Sequence, residues 1–293
     1  MRRSARTRPA RTRRRTQRRG DGPRGKARGR HSGNAGARLC NVKLETGSGI
    51  AIVTLNRPRA RNAIDARTID ELHAVLDHLA ESDTTRVLVL TGAGREAFAA
   101  GADIRELLKR RAGDALRGIN SGLFLKLENF PMPTIAAIRG HALGGGLELA
   151  LACDLRISGT SARFGQPEVG LGIIPAAGAT LRLPRIIGMG RAREMILTGN
   201  IIDAEEAYRI GLVNRIVDDD DVLDEARAVA ASIARKGPLA LRVAKLALSA
   251  SAYGAEAGHA AERLGQGILF ESEDKNEGMT AFLERRRPRF RGR

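Results

Sequence analysis

The sequence predicts an α/β fold followed by a helical C-terminal region. Two observations carry that expectation. Between residues 42 and 158 short β-rich apolar runs alternate with helical periodicity, and beyond about residue 190 the helical pattern continues alone. A third concerns extent: 293 residues, 42% of them hydrophobic, suffice for one large domain with an appendage.

Taken in order, Ile50-Ala-Ile-Val-Thr-Leu55 reads as a buried strand closed by the turn Asn56-Arg57-Pro58. Ile69, Leu72, His73, Leu76 and Leu79 recur at helical spacing between Asp65 and Asp83. Arg86-Val-Leu-Val-Leu-Thr91 is a second strand, stopped by Gly92-Ala-Gly94. A helical stretch over about 103–127 leads to a third strand, Pro133-Thr-Ile-Ala-Ala-Ile138. That strand runs into the glycine triplet 144–146 and a helix from about Leu147 to Ala152. Leu155-Arg-Ile-Ser158 is a further short strand, and a helix begins near Ala179. Helical patterns follow at 190–197, 203–210, 221–235, 237–250, 253–266 and 273–285. No fixed-period repeat is strong enough to indicate a solenoid.

The net charge of +17 has the look of a nucleic-acid-binding protein until it is located. Residues 1–38 hold fourteen Arg and one Lys against Asp21 alone, which gives +14; the other 255 residues carry 35 basic and 32 acidic groups, a net of +3. The first 38 residues have no apolar period and are expected to be disordered. They lack the apolar core of a secretory signal and the apolar face of a mitochondrial transit peptide. The chain prefers Arg to Lys by 43 to 7 and is rich in Ala and Gly, as a GC-rich genome dictates. The favoured reading of the tail is therefore translation from upstream of the true start, with the mature protein beginning between Leu39 and Val42. A basic arm binding RNA non-specifically is the rival reading, and Arg285-Arg-Arg287 with Arg289, Arg291 and Arg293 is a second basic cluster. Aromatic residues are too few for a base-stacking platform, with no Trp and only 2 Tyr. The apolar runs are too short and too broken to span a membrane.

Cys40 and Cys153 are the only cysteines, which gives neither a disulfide framework nor metal-ligand spacing and fits a reducing cytoplasm. The five histidines show no ligand spacing, so no metal site is expected. Cys153 with His141 as nucleophile and base is one reading; a small apolar residue packed inside a helix is the favoured one.

Three segments bear on chemistry. Phe98-Ala-Ala-Gly-Ala-Asp-Ile-Arg105 is a loop of small residues leaving a strand, His141-Ala-Leu-Gly-Gly-Gly-Leu-Glu148 runs through glycines into a helix, and Phe164-Gly-Gln-Pro-Glu168 is a loop bearing a carboxylate. Glycines at a helix N-terminus let backbone N–H groups approach a ligand and favour an oxyanion or phosphate. No Lys-Ser/Thr pair follows them, so this is not a Walker loop, and the dinucleotide pattern G-x-G-x-x-G is missing. Glu148 heads an apolar stretch, Leu-Ala-Leu-Ala-Cys, where burial would raise its pKa toward values useful for proton transfer. The alternative is a solvated acid complementing the helix dipole. Glu168 alone is an ordinary loop acid, and spacing does not establish that the two carboxylates meet.

From about Asn41 onward the chain resembles the crotonase (enoyl-CoA hydratase/isomerase) family. The resemblance rests on collinear segments: Leu55-Asn-Arg-Pro58 with Asn62-Ala63, the three segments above, Leu183-Pro-Arg185, and Ala204-Glu-Glu-Ala207 with Gly211-Leu-Val213. Gly237-Pro238 and Arg242-Val-Ala-Lys-Leu-Ala247 look closest to the branch containing the AU-rich-RNA-binding methylglutaconyl-CoA hydratase. The resemblance implies a spiral of ββα turns over about 39–236 and a helical region over 237–293 that packs trimers, paired into hexamers. It implies hydration of an enoyl-CoA by two glutamates, Glu148 activating water and Glu168 protonating C2. Ala102 and Gly145 would supply the N–H groups of an oxyanion hole. Ala102, Asp103, Ile104 and Arg105 would line the coenzyme A, and Arg57, Arg59 and Arg105 would meet its phosphates. Coenzyme A enters as part of the substrate, with no further cofactor. Isomerisation is the nearest alternative within the family. One departure stands out: where many hydratases carry Gly-Ala-Gly-Gly-Thr-Gln-Arg, this chain has Ala176-Ala-Gly-Ala-Thr-Leu-Arg182, and Ala176 would be strained if its position demands positive φ.

Overall fold

In a computed structural model, the structure describes residues 39–293; the Arg-rich segment 1–38 lies outside the described residues. The first elements, β1 (Val42–Gly47) and β2 (Ile50–Leu55), form an antiparallel hairpin. Its two-residue turn, Ser48-Gly49, has both φ values positive, the geometry that suits the twist of a tight hairpin. Helix α1 (Ala66–Ala80) starts where Asp65 accepts the Thr68 N–H at 2.8 Å, and it buries Ile69, Leu72, Val75, Leu76 and Leu79. Strands β3 (Val87–Gly92) and β4 (Ala97–Ala99) follow.

The single helical stretch expected over 103–127 is three pieces: α2 (Ile104–Leu107), α3 (Ala112–Leu116) and α4 (Ile119–Glu128). Local side-chain bonds divide it. Asp103 accepts from the Arg105 N–H at 3.0 Å, Asp114 accepts from the Arg111 N–H at 2.8 Å, and Gly118 turns the chain at a φ of +61° before α4. Then come β5 (Thr134–Ile138), β6 (His141–Leu143), α5 (Gly145–Leu151), β7 (Leu155–Gly159) and β8 (Arg163–Gly165). After a short 3₁₀ turn at Pro167–Leu171 the chain forms α6 (Ala179–Ile187), α7 (Met189–Thr198), β9 (Ile201–Asp203), α8 (Ala204–Arg209) and β10 (Arg215–Val217). Four helices finish it: α9 (Val222–Ala234), α10 (Pro238–Ser251), α11 (Ala255–Phe270) and α12 (Glu273–Leu283).

The strands divide between two sheets. The larger has the order β1-β2-β3-β5-β7-β10 and is parallel apart from the first hairpin; the smaller has the order β4-β6-β8-β9, with β4, β6 and β8 parallel. Each turn of the chain thus gives one strand to the large sheet, one to the small sheet, and then helix: β3-β4, β5-β6 and β7-β8 are three successive ββα turns. The repeat is structural, with no fixed period in the text to announce it. α9 packs Val222, Ala226 and Ala230 on one face of the large sheet, against Val87, Val89, Ile135, Ala137 and Ile157. The other face buries Leu88, Leu90, Ala136 and Ile138 with α1, α4, α5 and α6. Burial on both faces explains why β3 and β5 read as unbroken apolar runs.

The last three helices leave large apolar side chains exposed, among them Leu246, Leu248, Leu264, Ile268, Phe282 and Leu283. Two of the C-terminal arginines are committed within the chain. Arg286 bonds Glu277 at 2.7 Å and Glu284 at 2.6 Å, and Arg293 pairs with Glu273 at 3.1 Å. No described helix is long and apolar enough to cross a membrane.

Gly146 seats α5 on β4, because a Cβ there would overlap the Ala99 carbonyl. Gly146→Ala is therefore expected to destabilise the fold by about 1–3 kcal/mol through overpacking. Denaturant midpoints check this, and an unchanged midpoint would contradict the close packing.

Candidate active site

The three chemistry-bearing segments leave neighbouring strands of the small sheet at the same end. β4 leads into Ala100-Gly101-Ala102, β6 into Gly144 and Gly145, and β8 into Gln166, Pro167 and Glu168. Ile64 forms a single parallel bridge with Ala102, donating its N–H to the Gly101 carbonyl at 2.8 Å and accepting from the Asp103 N–H at 3.2 Å. In that pattern the N–H of Ala102 itself points away from Ile64, toward α5. Gly145 opens α5, so its N–H has no acceptor inside the helix. The two backbones are close: a Cβ on Gly145 would lie 3.4 Å from the Ala102 nitrogen, and one on Gly101 would come within 3.0 Å of the Leu143 carbonyl. Gly144 has φ +52° and ψ −127°, a conformation only glycine adopts readily, and a side chain there would run into Glu168 Oε1.

Glu148 is 3% exposed, in the first turn of α5. Its Oε1 accepts two backbone N–H groups, from Ala177 at 2.7 Å and Ala179 at 3.0 Å. Burial lifts its pKa above the ordinary carboxylate value, while those amides and the Arg182 guanidinium pull the other way. Ala176 bears no strain: the described non-glycine residues with positive φ are Ser48, Arg61, Asn62 and Arg285, and the turn in this loop falls on Gly178 at φ +118°. Glu168 is half-buried. Burial, with the negative charge of Glu148 adding to it, pushes its carboxyl up to about 7. The two carboxylates left apart in the sequence thus sense each other's charge across Gly144.

Two neighbours had no signal of their own in the sequence. Gln166 is fully buried, and its amide nitrogen donates to both Glu168 oxygens at 2.9 and 3.0 Å when turned to face them. Arg182 is buried and donates from Nη1 to the Ala177 carbonyl at 2.9 Å and from Nη2 to Glu128 at 2.6 Å. A basic residue four positions after a glycine turn is too common a pattern to mark a site.

Among the residues expected to meet coenzyme A, Arg57 is engaged within the chain. Its guanidinium is held by Asp65 at 3.1 Å, Asp103 at 3.6 Å and the Ala63 carbonyl, so it braces the 102–105 turn. Asp103 caps α2 through the Arg105 N–H. Arg59 and Arg105 are exposed, and Ile104 is 58% exposed at the mouth of the turn. Cys153 is buried with its thiol pushed up to about 12, and the His141 ring meets the Glu96 carbonyl at 2.9 Å, so the two form no nucleophile–base pair.

The enoyl-CoA hydratase/isomerase family model matches residues 45–293. A short-chain-enoyl-CoA hydratase of Clostridium acetobutylicum is 41% identical over 252 residues, covering 85% of this chain and 97% of its own. A crotonyl-CoA hydratase of Syntrophomonas wolfei is 40% identical over 253 residues, covering 85% and 97%. The crystal structure of an enoyl-CoA hydratase from Bacillus anthracis superposes with a TM-score of 0.84 at 39% identity, over 87% of this chain and all of that one. The chain belongs to the enoyl-CoA hydratase/isomerase family.

Glu168 makes stability pH-dependent. Its folded carboxyl keeps its proton to about 7 while the ordinary value is 4.5, so the folded state binds more protons and loses stability as pH rises through that window. Allowing for solvent screening at a half-exposed group, the loss is about 1–2 kcal/mol. Glu168→Gln cannot ionise, and is expected to match the wild type near pH 5 and exceed it by that amount near pH 8 in denaturant titrations. Parallel pH profiles would refute the assignment.

Proposed function

We propose that the protein is a hydratase of short-chain 2-enoyl-CoA thioesters, adding water across the C2=C3 bond. The observation that carries this reading is the pair of carboxylates with raised proton affinity, Glu148 and Glu168, beside the open amides of Ala102 and Gly145. In the reaction, ionised Glu148 takes a proton from water as its oxygen bonds C3. The C2=C3 electrons move toward the thioester carbonyl, whose growing negative charge is met by the Ala102 and Gly145 N–H groups. Protonated Glu168 then delivers its proton to C2. The protons balance: Glu148 ends protonated, Glu168 ends ionised, and exchange with solvent resets the pair. The reaction draws on no metal or redox cofactor.

Shifting a double bond needs one carboxyl to move one proton, whereas hydration uses two groups in opposite protonation states; keeping both acids supports hydration over isomerisation. The activities in the names of the Clostridium and Syntrophomonas relatives support a short acyl chain. Exposed Arg59 and Arg105 are the cations offered to the coenzyme A phosphates, with Ile104 against its apolar arm. The apolar side chains left open on α10, α11 and α12 support burial between copies, as trimers paired into hexamers. Two cysteines far apart in the chain support a reducing, cytoplasmic setting.

Glu148→Gln and Glu168→Gln should each lower kcat on crotonyl-CoA by about a hundred- to ten-thousandfold. Loss of absorbance of the conjugated thioester measures this directly, and full activity in either variant would overturn the two-acid mechanism. Light scattering is expected to give at least three times the chain mass; a monomer would refute the assembly.

A further inference from the structure

Buried Arg182 forms an ion pair with the partly exposed Glu128 that the hydration chemistry above does not use. Glu128 ends α4 and Arg182 lies in α6, so the 2.6 Å contact joins two elements that both pack against α5. The other end of the guanidinium donates to the Ala177 carbonyl, and the N–H of that same residue holds Glu148 Oε1. Gly178 lies against the guanidinium so closely that a Cβ there would overlap it. The Nε of Arg182 is buried with no hydrogen-bond partner among the described residues. A residue chosen only to fill this space would be apolar, since burying a guanidinium with one nitrogen unpartnered is costly.

We propose that Arg182 and Glu128 are positioning residues for the catalytic base: Arg182 fixes the 177–179 amides that hold Glu148 and supplies a cation beside it, and Glu128 anchors and partly neutralises that cation. The pair thereby sets the pH at which Glu148 becomes a competent base. Other charged groups near Glu148 are few. β4 has no titratable side chain, His141 of β6 turns to the Glu96 carbonyl, Lys126 of α4 is paired with Asp77 at 2.6 Å, and Arg185 of α6 is exposed. That leaves Arg182, Glu128 and Glu168 as the charges that tune it, in agreement with the lowering influence of Arg182 on its proton affinity.

This inference rests on the hydratase reading, and the test separates the two. The pH dependence of kcat/KM on crotonyl-CoA is measured for the wild type, Arg182→Gln, Arg182→Lys and Glu128→Gln, with thermal melts to verify folding. The limb rising with pH reports ionisation of the base within the coupled carboxyl pair. Removing the cation in Arg182→Gln is expected to move that limb up by about 1 unit, and removing the balancing anion in Glu128→Gln to move it down by about half a unit. Arg182→Gln should also lower kcat at least tenfold with KM within about twofold, the mark of a group acting on the chemical step. Arg182→Lys keeps the charge without the fork, so its limb stays near the wild-type position while kcat falls. Limbs that stay put in both charge variants, or move in the same direction, would overturn the proposal. If Arg182→Gln fails to fold, Glu128→Gln decides alone: a downward shift supports the proposal, and no shift or an upward one overturns it. A wild type that folds but does not hydrate crotonyl-CoA sinks the hydratase reading itself, and this inference with it.

Discussion

The parallel pairing of β4, β6 and β8 is the constraint on which the rest of the site depends. Parallel strands share a direction, so whatever follows each of them emerges at one end of the sheet. Three loops distant in sequence are thereby delivered to one place without any long-range side-chain contact having to bring them together. The strands are only three residues each, too short to stand alone, and are held because the same chain turns also place β3, β5 and β7 side by side in the large sheet. The large sheet is buried on both faces, and the small sheet adds Phe98 and Phe164, both fully buried, to the same core.

Onto that frame the electrostatics add a second requirement. Each carboxylate is lifted by burial, and the charge of Glu148 lifts Glu168 further. The environments then separate the partners. Glu148 has two backbone donors and a nearby guanidinium, all of which favour its ionised form; Glu168 has the neutral Gln166 amide and the charge of Glu148. The asymmetry falls in the direction that the proposed addition of water needs.

Much of the fold was legible in the sequence where an element was long enough to show a period. β2, β3, β5, β7 and α1 coincide with apolar runs or helical spacing within a few residues. The three-residue strands were not legible, because alternation needs more positions than they have, and the spiral they build was available only through the family resemblance. The broken helix at 103–127 was hidden for another reason: aspartates at local caps look in a sequence like ordinary helix-face charges. At the site, Glu148 carried its own physical signal in the glycines and apolar residues around it, and Glu168 carried none. The bracing of the turn by Arg57 was hidden because its carboxylate partners lie 8 and 46 positions away in the chain. The concern over Ala176 dissolved because the demand for positive φ falls two residues later, on Gly178.

The amides at Ala102 and Gly145 belong to the main chain. Replacing a side chain leaves an N–H in place unless the newcomer is proline, so a scan by alanine or by charge passes over this half of the site in silence. The carboxylates are the opposite: a single base change removes either one. In the hydratase mechanism proposed above, the anion-stabilising groups are backbone and the proton carriers are replaceable side chains, so such a fold could lose one reaction and acquire another while its grip on a developing enolate survives intact. Sequence drift in such a scaffold alters which proton moves far more readily than where the negative charge comes to rest.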